Sequence, residues 1–419
     1  MKVNLFDPDF LADPYPAYAW LREHDPVHHL GGNFWAVSRY DDVQHVLRHP
    51  AVFSSELGYS GMMGGEGSAM PGADRDRRRA MSDSGMGVMT SGFAGLRVLI
   101  AVDPPDHTRL RRLVSKPFAP RSIWALEPRL REICNGLVDE MLDARVDGVA
   151  DLWSHISYPL PTMVIAEMLG IPSARKADFK RWSDAIVNGM SLGGGGDIRD
   201  GAAGAMEMFQ YFNEVIAERR AEPRDDLISL IVHDDAEGDQ ALTTQELIAF
   251  CVLLLIAGNE TTTNLLGNFF EAMDRYPDQL DRLRKDPTLI NSAVEEALRF
   301  DSPVQGLWRG LREPAEVAGV GLPKDARLIT LFAAANRDES HYGDDAGVFR
   351  ADRNPTDHVA FGTGIHVCLG AALARLEARV AISTLLERTT QVEKAGEASR
   401  PLSPVLRGVR GQPVRLTAA

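Results

Sequence analysis

The stretch HVAFGTGIHVCLGAALARLEARVAI at residues 358–382 decides the fold of this chain. Two glycines, Gly362 and Gly364, lead to Cys368, and regular helical spacing follows from residue 371 to residue 382. A cysteine just before a helix receives backbone N–H groups and the positive end of the helix dipole, which favour its thiolate. We therefore expect a lowered pKa for the Cys368 thiol, and we expect the glycines to let a large group approach the sulfur.

Four interpretations of Cys368 are open from the residues alone. Most unpaired cysteines are inert and buried. A nucleophile needs a positioned base, and His366 is the nearby candidate. A metal site built from protein side chains needs further ligands, and none has suitable spacing. A single thiolate on haem iron needs no second protein ligand, because the porphyrin supplies four nitrogens.

A second stretch, LLLIAGNETTT at residues 253–263, places an acid beside alcohols in the middle of an apolar helix. Thr243 and Glu246 form a capping-box pattern and Pro277 lies just past the expected end, so the helix has about 30 residues and a length of ~45 Å. Its midpoint should therefore lie near the centre of the protein, where such polar groups indicate a functional site. An alternative for Thr261 is a hydrogen bond back to the carbonyl of the preceding turn.

At this point the chain resembles the cytochrome P-450 family. FGTGIHVCLG (361–370) resembles its haem-ligand loop, AGNETT (257–262) its oxygen-binding helix and EALR (296–299) its Glu-x-x-Arg helix. DPPDHTRLRR (103–112) resembles its haem-propionate helix, and AANRD (334–338) matches a further stretch. The resemblance implies the cytochrome P-450 fold, mainly α with a minor β region, and a single haem-binding monooxygenase domain over residues 1–419.

The spacing of apolar residues favours the same class of fold. Helical spacing prevails over residues 106–299, and turns rich in Gly and Pro separate short apolar runs over residues 300–349, which predicts a small sheet. Residues 34–40 alternate as a strand does, and residues 41–50 are typical of a helix. Residues 56–95 lose all periodicity and predict a long loop, and four glycines at 193–196 separate two helices.

Composition excludes several classes of function. The net charge of -14 disfavours nucleic-acid binding. Three cysteines without a close pair exclude a disulfide framework and suit a reducing cytoplasm. The N-terminus has no signal-peptide pattern, and the longest apolar run, residues 247–257, is shorter than the ~20 residues that span a bilayer. We expect a soluble, cytoplasmic monomer that binds neither nucleic acid nor membrane.

The resemblance implies a role for each motif residue. Cys368 would be the axial ligand of the iron of haem b. Glu260 and Thr261 would deliver protons to bound O₂, and the small residues Ala257 and Gly258 would leave room for O₂ beside the helix. Glu296 and Arg299 would form a buried structural pair. The other cofactor-binding residues would be His107, Arg111, Arg309, Phe361, Gly362, His366 and Gly370, of which His107, Arg111, Arg309 and His366 would hold the haem propionates.

The substrate pocket is predicted by the same resemblance. The six residues that would face it are all apolar, which indicates a largely apolar small molecule. For any one of them taken singly, ordinary core packing is the more common explanation. Four methionines of the loop, Met62, Met63, Met86 and Met89, would give the pocket an adaptable lining. The six pocket residues are Leu253, Ile256, Ala257, Val304, Leu307 and Leu406.

Electron supply follows from basic residues and from a missing motif. Arg109, Arg112 and Lys116 lie ~140° to 200° round the helix from His107. They form either a solvated basic face or a patch on which an acidic electron carrier docks. The sequence contains no dinucleotide fingerprint and no candidate flavin domain. The resemblance to soluble bacterial members therefore implies a ferredoxin and its NAD(P)H-dependent ferredoxin reductase.

Two rival functions keep the haem. One is a peroxygenase that uses peroxide directly, and the other is a non-enzymatic haem-based binder or sensor. The adjacent acid and alcohol argue against both, because neither function needs protons delivered to O₂.

Overall fold

The computed structural model describes residues 3–60, 98–175, 178–179, 181–182, 198–233, 241–401 and 403–419. Within these ranges the α-helices are α1 Pro8–Ala12, α2 Tyr15–His24, α3 Tyr40–Arg48, α4 Ser55–Ser60, α5 Asp106–Ser115, α6 Pro120–Trp124, α7 Glu127–Asp143, α8 Pro159–Met168, α9 Ile198–Ala221, α10 Leu227–Val232, α11 Thr244–Arg275, α12 Pro277–Lys285, α13 Ile290–Phe300, α14 Phe332–Ala335, α15 Glu339–Tyr342 and α16 Ala371–Arg388. The strands are β1 Val27–Gly31, β2 Phe34–Val37, β3 Phe53–Ser54, β4 Val149–Asp151, β5 Leu307–Leu311, β6 Ala315–Val317, β7 Val320–Leu322, β8 Arg327–Thr330, β9 Thr389–Lys394 and β10 Pro413–Ala418.

Helices form most of the described chain, and the strands form three small sheets. The largest has the order β1-β2-β8-β5-β3, in which β2 and β8 are parallel and the other neighbours antiparallel. A second sheet has the order β4-β10-β9, and β6 pairs with β7. The mainly α fold with a minor β region is therefore confirmed. The strand predicted at residues 34–40 ends at Val37, and α3 begins at Tyr40.

Helix α11 is the long helix that the capping box predicts. The Thr243 side chain accepts a hydrogen bond from the Glu246 backbone N–H at 3.1 Å, and the Glu246 carboxylate accepts one from the Thr243 N–H at 2.9 Å. The helix packs against α8, α9, α13 and α16. By length and composition it could also cross a membrane, with a mean hydropathy of 1.4 in its most apolar window, but helices of protein cores meet the same test and 56% of that window is buried.

The predicted loop of residues 56–95 is wrong at its start. Residues 55–60 form α4, because Asp103 accepts hydrogen bonds from the Ser54 hydroxyl and from the Ser55 N–H and so fixes the entry to the helix. Gly58 then lies so close to β5 that a Cβ atom there would be 2.7 Å from the Trp308 carbonyl oxygen. Residues 61–97, with the four methionines, and the glycines at 193–196 lie outside the described residues.

A fully buried ion pair ties α13 to the chain that leads to the cysteine loop. Arg299 donates to both carboxylate oxygens of Glu296, at 2.7 and 2.8 Å, and neither side chain has any exposed surface. The Arg299 guanidinium also donates to the carbonyl oxygens of Asn336 and Ala346. Arg353 donates to the same Glu296 carboxylate at 3.1 Å. The pair thus holds three separate segments at one point.

Replacing Arg299 by Leu should lower the free energy of unfolding by about 3 kcal/mol or more, because it leaves the buried Glu296 carboxylate with one cation fewer and two carbonyls without donors. The matched control is Arg129→Leu, which breaks the pairs with Glu132 and Glu167 where half of the arginine side chain is exposed. It should cost about 1 kcal/mol or less. Chemical denaturation measures the free energy of unfolding of both variants. Equal losses of this free energy would contradict the structural role assigned to the pair of Glu296 and Arg299.

Candidate functional site

The cysteine loop is shaped by glycines and by one backbone hydrogen bond. Gly364 has a φ of +72° at the start of a 3₁₀ turn, and a Cβ atom there would be 2.7 Å from the Leu47 carbonyl oxygen. The Cys368 N–H donates to the Phe361 carbonyl oxygen at 2.9 Å, which closes the loop. Gly370 precedes α16 and borders open space, because a Cβ atom there would meet nothing within 4 Å. The loop therefore presents Cys368 beside room for another group.

The expectation of a lowered pKa for Cys368 is wrong for the chain by itself. Burial raises the pKa of the thiol, and this outweighs the Gly370 N–H, Arg111 and Arg375, which favour the thiolate. The residue nevertheless has accessible surface. This surface leaves Cys368 open to a further group. A bound metal ion would deprotonate it outright.

The four predicted propionate-binding residues come together beside this loop. The rings of His107 and His366 lie 4.2 Å apart between centroids. Arg111 donates to the Val367 carbonyl oxygen at 2.7 Å, which joins α5 to the cysteine loop. Arg309, on β5, is 4% exposed and donates to the Trp308 carbonyl oxygen at 2.7 Å.

These four side chains make a basic cluster with little acid to balance it, in which His107 and Arg309 are buried and Arg111 and His366 are half-buried. Burial, Arg309 and His107 lower the pKa of His366 to about 3, and burial followed by Arg111 lowers the pKa of His107. Asp103 opposes both shifts, but its carboxylate is already bound by Ser54, Ser55 and Arg312. The cluster therefore has capacity for further negative charge.

The residues present fit a haem. The Nε2 atoms of His107 and His366 are buried and have no hydrogen-bond partner, so each could donate to a carboxylate. Haem brings two propionates, which would supply the missing anions. Within the described ranges no three His, Cys, Asp or Glu residues group as metal ligands, so Cys368 would bind an iron that has its other ligands from a porphyrin. The Nε2 of His366 makes no hydrogen bond to the Cys368 thiol, as a catalytic base acting through that atom would.

One face of α11 is open in the middle of an otherwise buried helix. Leu253, Ile256, Glu260 and Thr261 are half-buried, and Ala257 is exposed. Their spacing of three, four, seven and eight residues places them on one side of the helix. The predicted catalytic pair therefore lies on the same side as three of the predicted pocket residues.

The hydroxyl of Thr261 makes a hydrogen bond back to the preceding turn, which is the alternative interpretation of this residue. It donates to the Ala257 carbonyl oxygen at 2.6 Å, so its proton is engaged within the helix. The oxygen keeps lone pairs that can accept a hydrogen bond from the open side. Burial raises the pKa of the neighbouring Glu260 carboxyl, and Arg410 opposes the shift. Glu260 consequently retains its proton at pH values where an exposed glutamate has lost it.

Gly258 and Asn259, which lie between Ala257 and Glu260, are not part of the open side of α11. A Cβ atom on Gly258 would be 2.6 Å from the Ile165 side chain, so the missing side chain lets α8 approach α11 and does not leave a gap for O₂. Asn259 is 1% exposed and accepts a hydrogen bond from the Thr263 hydroxyl at 3.4 Å. Ala257 alone of the two small residues faces the open side.

The other predicted pocket residues come from outside α11. Val304 and Leu406 form an isolated β-bridge, and Leu307 begins β5 two residues before Arg309. All three are half-buried. The two segments therefore bring apolar side chains together at the β5 end of the basic cluster.

The predicted basic docking face is smaller than expected. Arg109 forms an ion pair with Glu246, the capping-box acid of α11, and its side chain is only 16% exposed. It holds α5 against the start of α11 and is not part of an exposed patch. Arg112 and Lys116 are exposed.

Sequence reasoning missed residues that tertiary contacts bring to the site. Tyr59, in the segment interpreted as a loop, interacts electrostatically with Arg309. Arg410, 150 positions after Glu260, interacts with its carboxylate. Arg375 lies one turn into α16 and favours the Cys368 thiolate. Only Arg375 had a sequence signal, namely its position seven residues after the cysteine on a predicted helix.

Comparison with known proteins identifies a matching family, two similar sequences and one similar solved structure. The cytochrome P450 family model matches residues 81–403. The chain is 37% identical to the cytochrome P450 monooxygenase PikC of Streptomyces venezuelae, covering 99% of this chain and 94% of that protein. It is also 37% identical to the vitamin D(3) 25-hydroxylase of Pseudonocardia autotrophica, covering 99% and 96%. The solved structure of cytochrome P450 CYP109Q5 from Chondromyces apiculatus superposes with a TM-score of 0.85 at 37% identity, covering 100% and 98%.

Proposed function

The chain belongs to the cytochrome P450 family of haem-thiolate monooxygenases, which bind haem b and use O₂, and we propose that it inserts one oxygen atom into a largely apolar small organic molecule. The observation that carries the proposal is the basic cluster beside Cys368, with two buried histidine nitrogens that lack partners. A monooxygenase site needs those groups, because they bind the haem propionates while the sulfur binds iron.

Each residue has a defined task in this proposal. Cys368 would bind the haem iron through its sulfur, and the haem would supply the oxygen-activating chemistry when it is bound. Thr261 accepts a hydrogen bond on the open side of α11, since its own proton is held by Ala257. Glu260, with its raised pKa, holds a proton beside it and passes it toward the reacting oxygen. Glu296 and Arg299 hold the fold and take no part in the reaction.

The substrate class follows from the open face of α11. Leu253, Ile256 and Ala257 are apolar and only partly covered, and the other predicted pocket residues Val304 and Leu406 are likewise apolar and half-buried. An apolar surface of this kind favours a substrate with few polar groups. The similarity to an enzyme named for vitamin D(3), a largely hydrocarbon molecule, supports the same class.

The enzyme is a cytoplasmic monomer that binds neither nucleic acid nor membrane. Its electrons come from a separate ferredoxin and its NAD(P)H-dependent reductase. The exposed pair Arg112 and Lys116 supports the ferredoxin, because it adds local positive charge to a protein with a net charge of -14. Such a patch attracts an acidic carrier that the rest of the surface repels.

Arg112→Glu should slow electron transfer from the ferredoxin steeply at low salt and much less at high salt, because salt screens exposed charges. Stopped-flow reduction of the haem at several ionic strengths measures the effect. The control is Lys324→Glu, the same charge change in the turn between β7 and β8. The docking site is excluded if both variants show the same salt dependence.

Thr261→Ala should leave haem binding intact but divert reducing equivalents from product to hydrogen peroxide, because the open side of the helix loses its hydrogen-bond acceptor. Thr261→Ser keeps the hydroxyl and should stay close to the unchanged enzyme. The measurement is the ratio of product and peroxide to NAD(P)H consumed. Unchanged coupling in Thr261→Ala would contradict the proposed proton route.

A further inference from the structure

A three-residue charge cluster lies behind the cysteine loop. Arg375 of α16 donates to both carboxylate oxygens of Glu295, at 2.6 and 2.8 Å. His358 binds the same carboxylate through Nε2 at 3.1 Å, and its side chain is 1% exposed. Although burial opposes the charged form, hydrogen bonds from His358 and Arg375 lower the pKa of Glu295 to about 2. The carboxylate is therefore ionised, and it fixes the direction of the guanidinium.

That direction is toward the ring of Phe361. The central carbon of the Arg375 guanidinium lies 4.6 Å from the Phe361 ring centroid, and the His358 ring lies 5.7 Å from it on a tilted contact. The Phe361 carbonyl oxygen in turn accepts the hydrogen bond from the Cys368 N–H. The bidentate ion pair of Arg375 with Glu295 thus holds a positive charge against Phe361, the residue that closes the cysteine loop.

A charge at this position would change how readily a bound haem accepts an electron. One electron from the ferredoxin converts ferric to ferrous iron and makes the haem-thiolate unit more negative by one charge. A nearby cation stabilises the more negative form and a nearby carboxylate destabilises it. Because 38% of the Arg375 side chain is exposed while Glu295 is 12% exposed, water screens the cation more than the acid.

We propose that Arg375 and Glu295 are positioning residues that set the reduction potential of the haem through the Phe361 and Cys368 loop. Arg375 raises the potential, and Glu295 both lowers it and fixes the guanidinium over the ring. This inference rests on the proposed role of Cys368 as the iron ligand.

The chain offers a matched control on the same helix. Arg379, one turn beyond Arg375, donates to both carboxylate oxygens of Glu127 at 3.0 and 2.6 Å. Its fork has the same chemistry and a similar exposure of 26%, but it joins α16 to α7. Loss of this pair removes a similar structural contact but leaves the charge at Phe361 in place.

The experiment is spectroelectrochemical titration of the holoenzymes, after the reduced carbon monoxide complex of each has shown thiolate ligation. Arg375→Gln should lower the reduction potential, and Glu295→Gln should raise it. Arg375→Lys, which keeps the charge, should lie closer to the unchanged protein than Arg375→Gln, and Arg379→Gln should shift the potential least. A merely structural role would shift unfolding temperatures without shifts of opposite sign in the potential.

Shifts of the same sign in Arg375→Gln and Glu295→Gln would overturn the inference, and so would equal shifts in Arg375→Gln and Arg379→Gln. If Arg375→Gln fails to load haem, Glu295→Gln decides, because a lowered or unchanged potential in that variant contradicts the assignment. Absence of the thiolate signature in the unchanged protein would instead refute the proposed function.

Discussion

Unbalanced positive charge beside Cys368 is the constraint on which the rest of the site depends. His107, Arg111, Arg309 and His366 arrive from α5, β5 and the cysteine loop, and Asp103 is already engaged elsewhere. Burial lowers the pKa of all four groups, so the two histidines are neutral and the two arginines carry the positive charge. A ligand with two carboxylates would offset this by pairing with the arginines and by accepting hydrogen bonds from the histidines. Binding of haem and stability of this region are therefore linked.

The helices around the cluster explain why the chemistry lies where it does. Arg109 fastens α5 to the capping box of α11, and Arg111 fastens the same helix to the cysteine loop. Gly258 lets α8 approach α11 on one side, while Ala257 and Thr261 stay open on another. One helix thus carries packing on one face and the proposed reaction on the next. Glu260 lies at the open face and is partly buried, and Arg410 opposes the burial that raises the pKa of its carboxyl.

Local patterns predicted the fold class and supplied candidates for the site residues. The capping box predicted the start of α11, and the resemblance carried by the cysteine loop indicated the family. Effects that depend on two distant segments were not predictable in this way. The ion pair of Arg109 with Glu246, the contact of Gly258 with Ile165 and the raised pKa of Cys368 each arise from tertiary packing. The fork of Arg375 onto Glu295 belongs to the same class, because 80 residues separate its partners.

Ligation of haem iron by Cys368 is the central claim, and the spectrum of the reduced carbon monoxide complex tests it most directly. A thiolate ligand shifts the Soret band of that complex strongly to the red, because the sulfur donates electron density through the iron. The purified protein should show this red-shifted band, and Cys368→His should lose it while retaining the basic cluster that we propose for the propionates. A reduced carbon monoxide complex of the unchanged protein without the red shift, or an unaltered band in Cys368→His, would contradict the account.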